Sequence, residues 1–330
     1  MLEPLALLVG VVALAVAFGV ANGFNDAANA IATVIGTRVL SPRAAVITAS
    51  CLSFLGAATG TAVAATIAQG IIAPQALSMN TVLAGAVPAV MWTFVSTHYG
   101  MPISTTHALV GGLVGAGMAT GGRRIIVWPI LARVLSSIAI APALGLAGGF
   151  SLMVAILWLF RRTAPGKVQG LFGNLQILSA AFLAYSHGKN NGQMPIGLMA
   201  MALMAYQGAT ELHIPFWTVI AAAASISLGM AFGGWRVVRT VGLQMTTLRP
   251  VHGFAAEASA AAVVETASHL GIPVSTTHCV STAVMGVGAT RRLSAVRWGI
   301  ARDIVLTWIL TFPACGILGW IIASILNLTV

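Results

Sequence analysis

Charge is scarce in this sequence. Six acidic residues and sixteen Lys or Arg make up 7% of its 330 residues, where soluble domains carry roughly 25%. So few charges cannot cover a water-soluble fold of this size. Hydrophobic residues make up 58% and fall in long runs, so the chain reads as an all-α integral membrane protein. The short alternating segments of a membrane β-barrel are missing. Cysteine is rare too. Cys51, Cys279 and Cys315 show no CxxC or CxxH spacing, which excludes a disulfide framework or a cysteine metal site and leaves three small packing residues. No GxxxxGK[ST] occurs, so the phosphate cradle of an ATP-driven machine is lacking. The net charge of +10 comes from clusters between apolar spans, as in Arg123/Arg124 and Arg291/Arg292. That is the placement of juxtamembrane loops, and no basic tract interleaved with aromatics points to nucleic acid. The apolar run up to Ala21 has no basic stretch before it, and is expected to be a first spanning helix and not a cleaved signal.

What the chain does have is a duplication. Pro102-Ile103-Ser104-Thr105-Thr106-His107 returns as Pro273-Val274-Ser275-Thr276-Thr277-His278, a shift of 171 residues that also carries His98 onto His269 and Gly100 onto Gly271. Asn22-Gly23-Phe24-Asn25-Asp26 resembles His187-Gly188-Lys189-Asn190-Asn191 at a shift of 165. Two motifs repeated in the same order mark a tandem repeat. The reading is repeat 1 over 1–160, a polar linker over 161–172 and repeat 2 over 173–330. Each repeat should open with a broken helix (5–37 and 173–206, interrupted at Gly23 and over 187–191), because several Asn side chains at that depth need a cavity. Each should also hold a re-entrant helical hairpin (102–120 and 273–290), because Pro and Ser/Thr start a helix too short to cross. Residues 125–160 are expected to cross twice, turning near Pro142–Gly149. The total is about ten spanning helices plus two hairpins. The loop 38–43 is basic and 71–79 is not, whereas 207–215 lacks Lys and Arg and 236–250 has three Arg. The swap points to inverted-topology repeats, although with 123–124 cytoplasmic inversion places Arg291, Arg292 and Arg297 on the outside.

Three hydroxyl side chains at a helix start, beside unpaired backbone N–H groups and the positive end of a dipole, make an oxyanion site. Ser104, Thr105, Thr106, Ser275, Thr276 and Thr277 could enclose one tetrahedral anion between two hairpins. The bland alternative is that each only caps its helix. Asn25, Asp26, Asn29, Asn190 and Asn191 are hard oxygen donors that suit a sodium ion, with Asp26 the sole carboxylate. His107, His278, His98, His269 and His187 divide evenly between structural and binding roles. Lys189 is a lone cation in a polar segment, able to contact the anion or to stand in for a bound cation. Glu265 and His269, four apart, could carry protons but fit a scaffold interface better.

At this point the residues resemble a known family. GFNDAANAIATVIGTRVLSP with PISTTHALVGG, then SHGKNNGQ with PVSTTH, is similar to the inorganic phosphate transporter (PiT) family of secondary carriers, over nearly the whole chain. The resemblance implies cation-coupled uptake of inorganic phosphate in the bacterial cytoplasmic membrane, no enzymatic activity, no cofactor apart from bound Na+, and often a homodimer. It implies phosphate on Ser104, Thr105, Thr106, Ser275, Thr276 and Thr277, with Asn29 assisting, whereas Lys189, which departs from the family pattern, is a candidate anion contact by its own charge. It implies the coupling cation, sodium or a proton, at Asn25, Asp26, Asn190 and Asn191, with sodium itself at Asn25, Asp26 and Asn190. One departure stands out: the family has an Asp in both copies, whereas here Asn191 holds the second Asp position and Lys189 replaces a small residue. That swing of two charges suggests reduced or different coupling, with Lys189 partly replacing a cation. The rivals are a sulfate permease of the same family, a passive anion channel, and an intramembrane Ser/His hydrolase, which the duplication disfavours because one nucleophile would suffice.

Overall fold

The computed structural model describes residues 4–328. The first half holds α1 (Pro4–Gly36), α2 (Pro42–Ala57), α3 (Ala62–Gly70), α4 (Met79–His98), α5 (Thr105–Gly121) and α6 (Trp128–Leu159). The second half repeats that order with α7 (Pro165–Asn191), α8 (Gln193–Gln207), α9 (Phe216–Phe232), α10 (Trp235–Arg239, extended by a π turn), α11 (Pro250–His269), α12 (Thr276–Ala289) and α13 (Trp298–Leu328). The duplication read from two short motifs therefore extends to the elements. Even the bends match: α2 meets α3 at 64° and α9 meets α10 at 62°.

The halves interlock. Helix α1 crosses α9 and α7 crosses α2, while α5 packs on α13 and α12 on α6. Glycines set the first pair of crossings. A Cβ on Gly23 would lie 2.1 Å from the Ile226 carbonyl oxygen, and one on Gly229 would lie 2.1 Å from that of Val20. The other crossing repeats this, with Gly188 against Ser53 O and Gly56 against Tyr185 O. Backbones come this close only where no side chain intervenes, as is usual between helices in lipid.

That packing corrects the broken first helix. Helix α1 runs unbroken from Pro4 to Gly36. Gly23 serves the close crossing and does not interrupt the helix. In the second half the helix pauses only at Gly192, just past the expected 187–191. A second correction concerns 125–160. Helix α6 passes through Pro142 without turning, as α13 does through Pro313 and α4 through Pro88. A proline forfeits one helical hydrogen bond, which a long helix with packed neighbours absorbs. Among the described residues four helices (α1, α4, α6 and α13) are long and apolar enough to cross a bilayer, or six if each bent pair is one span. The expected ten are not reached on that measure.

The polarity is inverted relative to a soluble protein. Leu144, Phe150, Leu157, Ile309, Ile317 and Trp320 lie exposed on α6 and α13, while Asn22, Asp26, Asn29, Thr105 and Asn191 are buried. Water would penalise the first set and lipid the second. The chain is an integral membrane protein.

Candidate functional site

An unbroken α1 places Asn22, Asn25, Asp26 and Asn29 three to four residues apart, on one face. All four are buried, Asp26 with 1% exposure. Opposite them stand the starts of α5 and α12. Each is reached through a left-handed glycine, Gly100 at φ 72° and Gly271 at φ 66°, a region costly for any residue with a Cβ.

Asp26 is the focus. Thr105 Oγ1 donates to Asp26 Oδ2 at 3.2 Å, and Thr277 Oγ1 donates to Asp26 Oδ1 at 3.0 Å. Asn191 Nδ2 donates to Asp26 Oδ2 at 2.5 Å, and His187 Nε2 lies 3.5 Å from the same oxygen. Around this carboxylate, Asn29 Nδ2 donates to Thr276 Oγ1 and Thr277 Oγ1 at 3.2 and 2.9 Å. Thr105 also donates to Asn22 Oδ1 at 2.9 Å, and Asn191 Nδ2 reaches Thr276 Oγ1 at 3.2 Å. Thr106 Oγ1 donates to the Val274 carbonyl at 3.0 Å, tying one turn to the other. The two turns, 171 residues apart in sequence, thus meet at a single buried carboxylate.

The six hydroxyls divide by position. Ser104 Oγ accepts from His107 N and Ser275 Oγ from His278 N, each at 3.2 Å. These serines are N-caps, as the bland alternative holds. The four threonines face the cluster. The imidazoles of His107 and His278 lie 4.9 Å apart, and that of His278 stacks 3.9 Å from Trp308. Neither ring is hydrogen-bonded to a serine, so the geometry of a Ser–His nucleophile is not built here.

Asn25 and Asn190 sit at the edges and do matched work. Asn25 Nδ2 donates to Thr97 Oγ1 and the Met101 carbonyl at 2.7 and 3.3 Å. Asn190 Nδ2 donates to Ser268 Oγ and the Ile272 carbonyl at 2.9 and 3.2 Å, and its Oδ1 accepts from Val274 N. Each clamps a hairpin turn. Asn25 Oδ1 and Asn191 Oδ1 are buried acceptors with no hydrogen-bond donor. Such oxygens are open to a cation.

This duplicated site has known counterparts. The model of the phosphate transporter family matches residues 22–319. The chain belongs to that family. A probable low-affinity inorganic phosphate transporter of Rhizobium meliloti is 43% identical over 315 residues, covering 94% of both chains. One of the same description from Bacillus subtilis is 36% identical over 327 residues, covering 98% of both. The solved structure of "the sodium-dependent phosphate transporter" superposes with a TM-score of 0.91 at 29% identity, covering 98% of this chain and all of that one. These relatives are named for transport and not for catalysis.

Within this family member, the structure places Lys189 apart from the cluster. Its Nζ lies 2.5 Å from Glu265 Oε1 and 3.1 Å from His269 Nε2, on the face of α7 that meets α11. Its charge is met there and not at Asp26. Asn22 is a contributor to the cluster that the sequence reading did not single out, and His187, evenly divided there between structural and binding roles, lies 3.5 Å from Asp26. Their signal was spacing. Asn22 is four residues before Asp26, and His187 is its counterpart in the second copy. Only a continuous helix puts them on the site's face.

Proposed function

We propose that this chain is a secondary transporter of inorganic phosphate, coupled to sodium or protons. In this reading the anion lies between the two Ser-Thr-Thr turns and exchanges sides by alternating access of two inverted repeats. The observation that carries it is the convergence of both turns on Asp26. Four threonine hydroxyls and two helix N-termini supply donors and partial positive charge, roughly half an elementary charge per helix end. Asp26 is an acceptor at the centre. Near neutral pH phosphate carries a proton that can be donated to it, whereas sulfate carries none. That difference favours phosphate over its closest rival in shape.

The charges call for a cation. Asp26 and a phosphate of one or two negative charges outweigh two helix ends, and Lys189 is already neutralised by Glu265. A buried excess of negative charge costs several kcal/mol unless paired. Sodium at Asn25 Oδ1, Asp26 and Asn191 Oδ1, with neighbouring carbonyls, would offset it. Asn190 contributes by holding its turn. The expectation that Lys189 stands in for a cation loses its basis, since Glu265 takes up that charge. Inversion of the repeats is supported by the swapped loop charges. A bacterial cytoplasmic membrane and a homodimer belong to the same reading.

The test is radiolabelled phosphate uptake into proteoliposomes, with sodium and proton gradients imposed separately and sulfate as competitor. Uptake driven by one gradient and indifferent to sulfate is the expected outcome. Sulfate-blocked uptake would move the assignment to a sulfate carrier, and flux that ignores both gradients would leave a channel.

A further inference from the structure

The duplication makes the second half a control for the first. Phe24 corresponds to Lys189, Phe94 to Glu265, Thr97 to Ser268 and His98 to His269. In the first half, Phe24 and Phe94 meet as rings 6.4 Å apart. They line a cavity of about 810 Å³ together with Thr97, the residue that Asn25 clamps. In the second half the same two positions hold an ion pair. Lys189 Nζ and Glu265 Oε1 are 2.5 Å apart, and His269 Nε2 is 3.0 Å from that oxygen. Lys189 is 8% exposed. Its Nζ lies 5.9 Å from the centroid of the Tyr185 ring, whose hydroxyl is 2.9 Å from Thr59 Oγ1. Asn190, next to Lys189, grips the following turn at Ser268, Ile272 and Val274.

An apolar aromatic pair lining a cavity thus stands beside the first turn, and an ion pair stands at the matched positions beside the second. We propose that Lys189 and Glu265 are a gating pair: they hold the second hairpin turn against α7 in this conformation, and they part when the site opens on that side. Both are positioning residues and neither touches the anion. The proposal rests on the transport reading given above. The pair is part-buried, with side-chain exposure of 10% at Lys189 and 17% at Glu265, and desolvation offsets much of the attraction of such a pair. An aromatic pair already serves at the matched positions, so packing alone does not require charge there. What charge supplies is a two-state contact. It is strong when dry and nearly free to break once water enters. An apolar pair behaves in the opposite way.

The test uses the full-length protein in lipid and reads two quantities. The first is backbone hydrogen exchange at the second turn, residues 268–275, and at its counterpart, residues 97–104, without phosphate. The second is the Vmax and KM of phosphate uptake. The variants are K189M, E265Q, the reversed pair K189E/E265K, and K189F/E265F, which copies the pair that the first half already folds with. In the two single variants, exchange at 268–275 should rise about ten-fold while 97–104 stays unchanged. Vmax should fall about five-fold with KM held within about two-fold, because the cycle loses its closed state on that side. The reversed pair should recover both within about two-fold. K189F/E265F should fold and keep phosphate affinity but retain the low Vmax. Equal acceleration at both turns, a normal Vmax in K189F/E265F, or no recovery in the reversed pair would overturn the gate. Because exchange is read without phosphate, a shifted turn in a protein that moves no phosphate would sink the transport reading alone.

Discussion

At the scale of single residues, the structure separates side chains that the sequence presents as one set. Ser, Thr and Thr look equivalent in both motifs, yet the serines cap helices, Thr105 and Thr277 donate to Asp26, and Thr106 donates to the Val274 carbonyl. Replacing Ser104 or Ser275 by Ala should therefore cost about 1 kcal/mol of stability, as loss of an N-cap does. A lower unfolding temperature with KM unchanged would show this. Thr105→Val and Thr277→Val remove donors to a charged acceptor, bonds of about 1.5–3 kcal/mol each. Phosphate affinity should fall by ten-fold or more, and the unfolding temperature should drop as well, because both hydroxyls donate to Asp26 in the folded protein. Equal effects of serine and threonine variants on affinity would contradict the division. The helical spacing of Asn22, Asp26 and Asn29 was legible in the sequence, but Gly23 argued for a break and hid Asn22. The Lys189–Glu265 contact joins residues 76 apart in sequence, and no local pattern announces it. The only written clue was that Phe24 and Phe94 change together to Lys and Glu at the matched positions.

At the scale of elements, proline and glycine misled where lipid and packing decide. Gly23 and Pro142 suggest interruptions by local propensity, and both lie within continuous helices. In water a glycine in a helix mainly adds backbone entropy to be lost. Between two crossing helices it provides clearance. Gly23→Ala puts a methyl 2.1 Å from the Ile226 carbonyl oxygen, and forcing such contacts costs about 1–3 kcal/mol or more. Gly188→Ala meets Ser53 O in the same way. Both variants should unfold at lower temperature in detergent, whereas Gly166→Ala, with nothing within 4 Å of the added methyl, should not. The starts of α5 and α12 were legible because Gly100, Pro102 and their copies in the second half are local signals that neighbours cannot override. Asn25→Ala and Asn190→Ala should each loosen their own turn, read as faster backbone exchange confined to residues 97–104 or 268–275.

At the scale of the whole molecule, the account holds that two copies of one unit, interlocked through glycine crossings, bring two helix starts to one carboxylate. Composition and repetition revealed the membrane class and the duplication. The swapped crossings were not legible, because a repeat in sequence does not say whether its copies pack side by side or through one another. Asp26 is where both copies meet, and its matched position, Asn191, is already the amide. The most direct test is equilibrium binding of phosphate to purified Asp26→Asn, with and without sodium, beside the unaltered protein. The account predicts that the variant folds, loses the sodium dependence and binds phosphate at least about ten-fold more weakly. Unchanged phosphate affinity with the sodium dependence intact would contradict Asp26 as the centre of the site.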